Sequence, residues 1–303
     1  MNNYKKWIVL GGVIALIIAI PIIWLTVFYT NVVETVAVMH EPIGRQVSEK
    51  RVEEVVFKEL DPFSVLLLGV DERESDVGRS DTIVVITVNP TEQSTKIVSI
   101  PRDTYTELIG RSTKDKINHA YAFGGTEMAV ASIEKLLDIP IDYVATINME
   151  GFESIVDAVG GISVTNDFDF QVGDIDFPKG EIQLDGQSAL TYVQMRYDDP
   201  RGDFGRQDRQ KQIIEGILRK GASLTGLMNY KSIFNALGHN VRTNLTFDEM
   251  SDIQKNYRSA LDKVEQLHFQ NGDGHMIDGI WYYLMDDVER QGVIDTLKAH
   301  LEM

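Results

Sequence analysis

The spacing of apolar positions changes repeatedly along the chain, and each change marks an element. Trp7 to Phe28 carries no charge, and its length matches the roughly 20 apolar residues a helix needs to cross a bilayer. Phe63 to Val70, FSVLLLGV, is a continuous apolar run, the pattern of a strand covered on both faces. Asp81 to Val88 and Thr95 to Ile100 repeat that pattern, and the turn residues of NPTEQS between them predict a hairpin. KINHAYAFGGTEMAVASIEKLLD then switches to helical spacing: a short helix, a break at Gly124 and Gly125, and a second helix from Thr126 to Leu137. Tyr143 to Met149 alternates as a strand, Phe152 to Val159 follows as a helix, and Gly160 and Gly161 turn into the strand-like ISVT. Helices are also predicted over residues 221–238, from Phe247 to Leu261 and from Asp286 to Leu301, the last capped by Asp286 or Asp287. Val264 to Phe269 and Met276 to Ile280 are predicted strands. The mixture is that of an α/β domain.

The first apolar run sets the topology. A cleavable signal usually has a shorter apolar core, about 7 to 15 residues, and a small-x-small site after it. No convincing site precedes Thr30, so an uncleaved anchor is expected. Lys5 and Lys6 precede the run and Glu34 is the first charge after it, which puts the N-terminus in the cytoplasm. The expected division is a cytoplasmic N-terminus (1–6), a transmembrane anchor (7–28), an extracytoplasmic stalk (29–60) and an extracytoplasmic domain (61–303). In the stalk, SEKRVEEVVFKEL reads as a short amphipathic helix that serves as a spacer or packs onto the domain.

Composition narrows the chemistry. The chain has 303 residues, 43% of them hydrophobic and 25% charged, enough for one large core or two modest ones. Its 46 acidic against 29 basic residues, a net charge of -17, argue against nucleic acid as a partner, because that affinity is largely phosphate neutralisation. The absence of cysteine removes disulfides, thiolate metal sites and cysteine nucleophiles together. No G-x-S-x-G, H-E-x-x-H or Walker A motif occurs. His119, alone on a helix with no partner at metal or triad spacing, reads as a polar packing residue.

Against this acidic background, Leu184 to Ile214 concentrates arginine: Arg196, Arg201, Arg206 and Arg209 fall within fourteen residues. Asp203 is the expected N-cap of a helix on which Arg206, Gln210, Ile213 and Ile217 share one face, so Arg206 and Gln210 should point inward. A cation in a first helical turn meets the positive end of the macrodipole, which calls for an anion there. For Arg201 and Arg209, ion pairs with Asp198, Asp199, Asp203 or Asp208 are at least as good a reading; for Arg206 a bound phosphate is favoured.

A second group gathers from the strand ends. In the predicted hairpin, Asp81 opens one strand and Arg102 follows the other, so both lie at one end of the sheet. Asp71, after the first strand, can join them there, where ligands bind in open α/β sheets. The plainer alternative makes the aspartates turn and cap residues and pairs Arg102 with Asp103. Two aspartates without His or Cys suit a hard cation such as Mg2+, which takes its remaining ligands from water and phosphate. Arginine forks suit phosphate oxygens. The combination describes a diphosphate site and phosphoryl transfer that needs no protein nucleophile. An incoming hydroxyl needs a base, for which Asp71, Asp81 and Asp103 are unranked candidates. On the outer face of a membrane, the expected substrate is a lipid-linked diphosphate.

LLLGVD (66–71), GRSDT (78–82), SIPRDT (99–104), KINHAYAFGG (116–125), VDAVGGISV (156–164) and the arginine stretch, in this order, resemble the LytR-CpsA-Psr family of bacterial cell-envelope glycopolymer transferases. The resemblance implies a three-layer α/β/α domain with a central mixed sheet behind one N-terminal transmembrane helix. It implies transfer of an anionic glycopolymer, such as wall teichoic acid, from undecaprenyl diphosphate to N-acetylmuramic acid of peptidoglycan, forming a phosphodiester. Asp71 and Asp81 then correspond to the Mg2+ pair, and Arg79, Arg102, Arg196, Arg206 and Gln210 to the diphosphate contacts. Gln194 departs from the family, in which many members carry a further arginine. The competing readings are a non-catalytic module that binds polyprenyl lipid or cell wall, and a hydrolase of the lipid diphosphate.

Overall fold

The apolar runs become strands whose two faces are divided by residue parity. The computed structural model describes residues 26–303 except 28, 31–32, 73–77, 197, 224–237 and 239. The strands are β1 (Phe63–Val70), β2 (Ser80–Asn89), β3 (Ser94–Ser99), β4 (Tyr105–Leu108), β5 (Thr113–Lys116), β6 (Tyr143–Asn148), β7 (Ile162–Asn166), β8 (Phe170–Val172), β9 (Ile175–Phe177), β10 (Gly180–Leu184), β11 (Val241–Thr243), β12 (Lys263–Leu267), β13 (Asp273–Ile277) and β14 (Ile280–Leu284). The helices are α1 (His119–Leu137), α2 (Met149–Ala158), α3 (Gly186–Gln194), α4 (Asp203–Ser223), α5 (Phe247–Asn256) and α6 (Asp287–His300).

The central sheet runs β11-β6-β1-β2-β3-β12. It is mixed: β1 is parallel to β6 and β3 to β12, while the β1–β2, β2–β3 and β6–β11 pairs are antiparallel. Leu66, Leu68 and Val70, with Ile83, Val85 and Val98, face a core completed by Ile133 and Leu137 of α1 and Val293 and Leu297 of α6. Val65 and Leu67, with Val84, Ile86 and Ile97, face the other way, onto Ile214 and Leu218 of α4. Helices therefore cover both faces, as a fully apolar strand requires. A second cluster forms where Val156 of α2, Ile162 of β7, Leu184 of β10 and Tyr192 of α3 meet Ile213 of α4.

Several boundaries differ from the sequence expectation. The Gly124–Gly125 break is a kink inside one helix, at Gly125 φ 61° and ψ -153°. The helix expected from Phe152 begins at Met149, capped by Asn148, whose side chain accepts from Gly151 N at 2.7 Å. The strand predicted over Met276 to Ile280 is two strands, because Asp278 and Gly279 turn the chain back on itself. The helix predicted from Phe247 ends at Asn256 and continues only as a 3-10 turn, Arg258–Leu261. The predicted helix over 221–238 falls almost wholly outside the described residues.

The amphipathic helix expected in SEKRVEEVVFKEL does not form; only Phe57–Glu59 makes a 3-10 turn. Two of its cations are engaged by the domain instead: Arg51 donates to Asp142 at 2.5 and 2.8 Å and to the Pro62 carbonyl at 2.7 Å, and Lys50 pairs with Asp138 at 2.5 Å. Just ahead of the segment, Arg45 grips Glu134 at 2.6 and 2.7 Å. Val36, Met39 and Ile43 are buried, and His40 bridges Thr243 of the edge strand β11. The segment from Val36 onward is thus laced to the domain. The predicted anchor lies outside the described residues apart from Thr26 and Val27, and among the described residues no helix is long and apolar enough to cross a membrane.

Candidate active site

The site begins with an irregularity in the sheet. Gly69 pairs with Thr82 and Val70 with Ser80, so Asp81 is an extra residue on β2. Such a bulge re-aims a side chain at a strand end. The Asp81 carboxylate accepts from Arg102, Nη1 to Oδ1 at 2.8 Å. Arg102 leaves β3 through Ile100, whose N–H is bonded to the Ile83 carbonyl at 2.8 Å, so a main-chain bond fixes the two partners' approach. Asp103, which could have been Arg102's partner, lies farther off at 3.7 Å and instead takes Lys116 at 2.7 Å.

Asp71 follows β1 directly, and its N–H donates to the Arg79 carbonyl at 3.3 Å, closing the loop between β1 and β2. Gly78 makes that closure feasible: its φ is 74°, and a Cβ there would lie 2.3 Å from the Asp71 carbonyl oxygen. Arg79 itself stands exposed at the rim.

Helix α4 supplies the opposite wall. Arg206 and Gln210 are buried together with Ile213, as the 3.6-residue spacing predicts. Gln210 Nε2 donates to Thr82 Oγ1 at 2.8 Å, tying the helix to the residue after the bulge. Asp203 lies within the first turn rather than capping it, and its Oδ1 is 2.7 Å from Arg206 Nη2 and 3.8 Å from Arg196 Nε. The anion that the helix start demands is thus partly internal. The sequence offered Asp203 as a local anion but favoured a phosphate for Arg206; the i, i+3 spacing of the two residues was the signal for their pairing.

One atom of Arg206 is left over. Its Nε is buried with no hydrogen-bond partner among the described residues, as are Ser80 Oγ and Asn118 Oδ1. Burial, opposed by Asp203 and reinforced by the neighbouring Arg102, pushes the Arg206 guanidinium below its ordinary pKa. Burial also works against the Arg102 cation, but Asp81, with Asp203 and Asp103 behind it, holds its pKa above the ordinary value. A buried donor without an acceptor costs about 1–3 kcal/mol, and an incoming phosphate oxygen removes that cost.

The other two arginines of the stretch are structural. Arg209 is buried, with Nη1 2.5 Å from Asp199 Oδ2, Nε donating to the Tyr192 carbonyl at 3.0 Å and Nη2 to that of Met195 at 2.5 Å. Asp199 fits only because residue 205 is glycine, where a Cβ would come within 1.8 Å of Asp199 Oδ2. Arg201 pairs with Asp208 at 2.8 Å and Asp167 at 3.3 Å. Gln194 is exposed, and its Nε2 approaches Met149 Sδ at 3.9 Å. His119 bonds Asp115 at 2.9 Å and packs edge-on against Phe123, consistent with a packing role.

A cavity of about 210 Å³ lies beside Gly124, Gly125 and Arg242, and Arg242 reaches Glu72, next to Asp71, at 3.5 Å. A larger one, about 370 Å³, sits at the opposite end of β1 and β6, where Arg45 and Arg51 are already paired with carboxylates. Among the described residues no group of three or more His, Cys, Asp or Glu is placed to hold a metal. A cation here would have to share its shell with phosphate and water, which is the habit of magnesium.

Guanidinium groups thus converge with carboxylates at the strand ends of a mixed α/β sandwich. The chain belongs to the LytR_cpsA_psr family, whose family model matches residues 26–299. It is 49% identical over 276 residues to the polyisoprenyl-teichoic acid–peptidoglycan teichoic acid transferase TagU of Bacillus cereus, covering 91% of this chain and 90% of that one. The crystal structure of B. subtilis TagU matches at 47% identity with a TM-score of 0.65, covering 80% of this chain and 98% of that chain. A structure of TagT bound to LI-WTA matches at 31% identity with a TM-score of 0.75, covering 87% and 100%.

Proposed function

We propose that this chain is a transferase that moves an anionic, teichoic-acid-type glycopolymer from a polyprenyl diphosphate carrier to peptidoglycan. The observation that carries the reading is the buried, unpartnered Arg206 Nε beside the Arg102–Asp81 pair. The names of the TagU relatives support the donor and acceptor classes.

In this reading Arg102, Arg206 and Arg196, with Gln210 behind them and Arg79 at the rim, take the diphosphate oxygens. Asp71 and Asp81 would hold Mg2+, which supplies charge neutralisation of the diphosphate and of the leaving phosphate. The acceptor hydroxyl, on an N-acetylmuramic acid residue, attacks the phosphorus bearing the glycan. The bond from that phosphorus to the bridging oxygen breaks, polyprenyl phosphate departs, and the hydroxyl proton passes to a carboxylate at the strand ends. The arginines stabilise charge that grows on the bridging and non-bridging oxygens, so their contribution is largest in the transition state. The apolar stretch Trp7 to Phe28 would anchor the enzyme, with its domain outside the cytoplasm, where both substrates are presented.

The test is incubation of the full chain in detergent with a synthetic polyprenyl-diphosphate glycan, a peptidoglycan oligomer and Mg2+. Coupled product is expected. Released phosphoglycan alone would make the protein a hydrolase, and donor binding without turnover would make it a binding module.

A further inference from the structure

The β13–β14 hairpin is built to protrude. Asp278 at φ 51° and Gly279 at φ 80° are both left-handed, as a tight two-residue hairpin turn of the I′ type requires. Its strands pair from Asp273 with Leu284 to Ile277 with Ile280. Met276 and Trp281 are direct cross-strand partners on one face, yet they remain 65% and 45% exposed. Apolar side chains grouped on a rigid, exposed tip mark a contact surface.

The indole of Trp281 packs closely on Gly274 of the neighbouring strand. A Cβ on Gly274 would come within 2.7 to 2.9 Å of Trp281 Nε1, Cε2 and Cζ2, so only glycine lets the ring rest against the strand. Glycine inside a strand commonly marks such a close approach. The base of the same hairpin enters the active site. Tyr283 N–H donates to the Asp103 carbonyl at 2.9 Å, and the Tyr283 ring meets Phe204 at 5.8 Å, in the helical turn that carries Arg206. Trp281 lies two residues from Tyr283, about 7 Å along a strand.

We infer that Trp281 is a stacking platform for the glycan strand of the acceptor peptidoglycan, seating one amino sugar while a neighbouring sugar presents its hydroxyl at the diphosphate. The inference rests on the transferase reading and adds to it the surface that holds the acceptor. A pyranose ring offers a face of C–H groups that packs on an aromatic plane, while its hydroxyls and acetamido group stay at the rim, open to water. Asp278 is exposed at the turn of the same hairpin. Its carboxylate repels both an anionic bilayer and an anionic glycopolymer, and it tolerates an uncharged amino-sugar backbone.

Trp281 is one of three tryptophans, the others being Trp7 and Trp24, so a full chain carrying Trp7→Phe and Trp24→Phe emits from Trp281 alone. Titrating it with a peptidoglycan tetrasaccharide should shift the emission to the blue. A soluble fragment of the donor glycopolymer should not shift it, nor should exchange of nanodisc lipid from phosphatidylcholine to phosphatidylglycerol. In transfer assays, Trp281→Ala should raise the acceptor KM about tenfold with donor KM and saturated kcat within about twofold, and Trp281→Tyr should restore most of the loss. An unchanged acceptor KM, or an emission that answers to lipid charge or donor polymer but not to the tetrasaccharide, overturns the platform. Absence of transfer by the parent chain would instead defeat the transferase reading, and the emission titration would still judge the platform by itself.

Discussion

Arg102 and Asp81 meet at 2.8 Å because a bulge turns Asp81 toward the residue that follows β3. In the proposed reaction Arg102 would turn part of its fork to a phosphate, leaving Asp81 to face the freed space. Arg102→Ala should lower kcat at least about a hundredfold, the size of losing one preorganised charge-stabilising donor. Circular dichroism should show an intact fold with a modest change in melting temperature, since the pair is partly exposed. Near-parental turnover would remove Arg102 from the site.

Arg206→Lys tests the unpartnered Nε directly. The substitution keeps a cation but loses the planar fork, so activity should fall by roughly tenfold or more. Donor affinity, followed with a fluorescent polyprenyl diphosphate, should weaken with it. Lysine that performs as well as arginine would mean that charge alone matters at this position.

Arg209→Ala should behave in the opposite way. It leaves the fully buried Asp199 carboxylate with Arg201 alone, whose N–H donates to Oδ1 at 2.7 Å and whose Nε lies 3.7 Å away, and breaking the buried pair costs up to about 3–5 kcal/mol. Urea unfolding should reveal that loss before any assay does. A stable Arg209→Ala protein would show that Arg201 suffices to hold Asp199.

Asp71→Ala should flatten the dependence of activity on magnesium. The readout is rate against Mg2+ concentration, with chelator as the zero point. If the variant rises with Mg2+ along the parental curve, Asp71 does not hold the ion.

Asp138 sits between Lys298 and Lys50, whose hydrogen bonds pull its carboxyl down to about 2. A depressed folded-state pKa contributes stability above the unfolded value near 4, and that contribution disappears as pH falls toward 2. Asp138→Asn should therefore lower stability at pH 7 and converge with the parent in acid. The carboxylate is 56% exposed, so solvent screening keeps the difference to at most about 1 kcal/mol. Parallel curves across that window would contradict the assignment.

What could be read in advance followed periodicity. The spacing of Arg206, Gln210, Ile213 and Ile217 foretold a shared inward face, and the uniform apolar run of β1 foretold cover on both sides. That same uniformity hid the bulge, because a strand apolar on both faces gives no register signal. The helix expected at residues 48–60 gives way to tertiary contacts: Arg51 pairs with Asp142 and Lys50 with Asp138. Arg206 and Arg209 lie on one helix three residues apart, and the position of Asp199, fixed by the fold, makes Arg209 a brace while Arg206 Nε keeps no partner. The Asp278–Gly279 turn was legible, since that dipeptide between apolar residues is a strong hairpin signal, but reading the apolar run through it concealed the turn.

The lacing of the segment after Val36 has a mechanical meaning. On the proposed topology, little more than ten residues separate Phe28, at the end of the anchor, from His40, already docked on the edge strand. Even fully drawn out, that leash spans only about 40 Å, and as a helix less than half as much. A domain on so short a leash cannot roam the wall. It would decorate the newest glycan, the layer lying against the membrane, and the age of a wall layer would then be recorded in when it passed within reach.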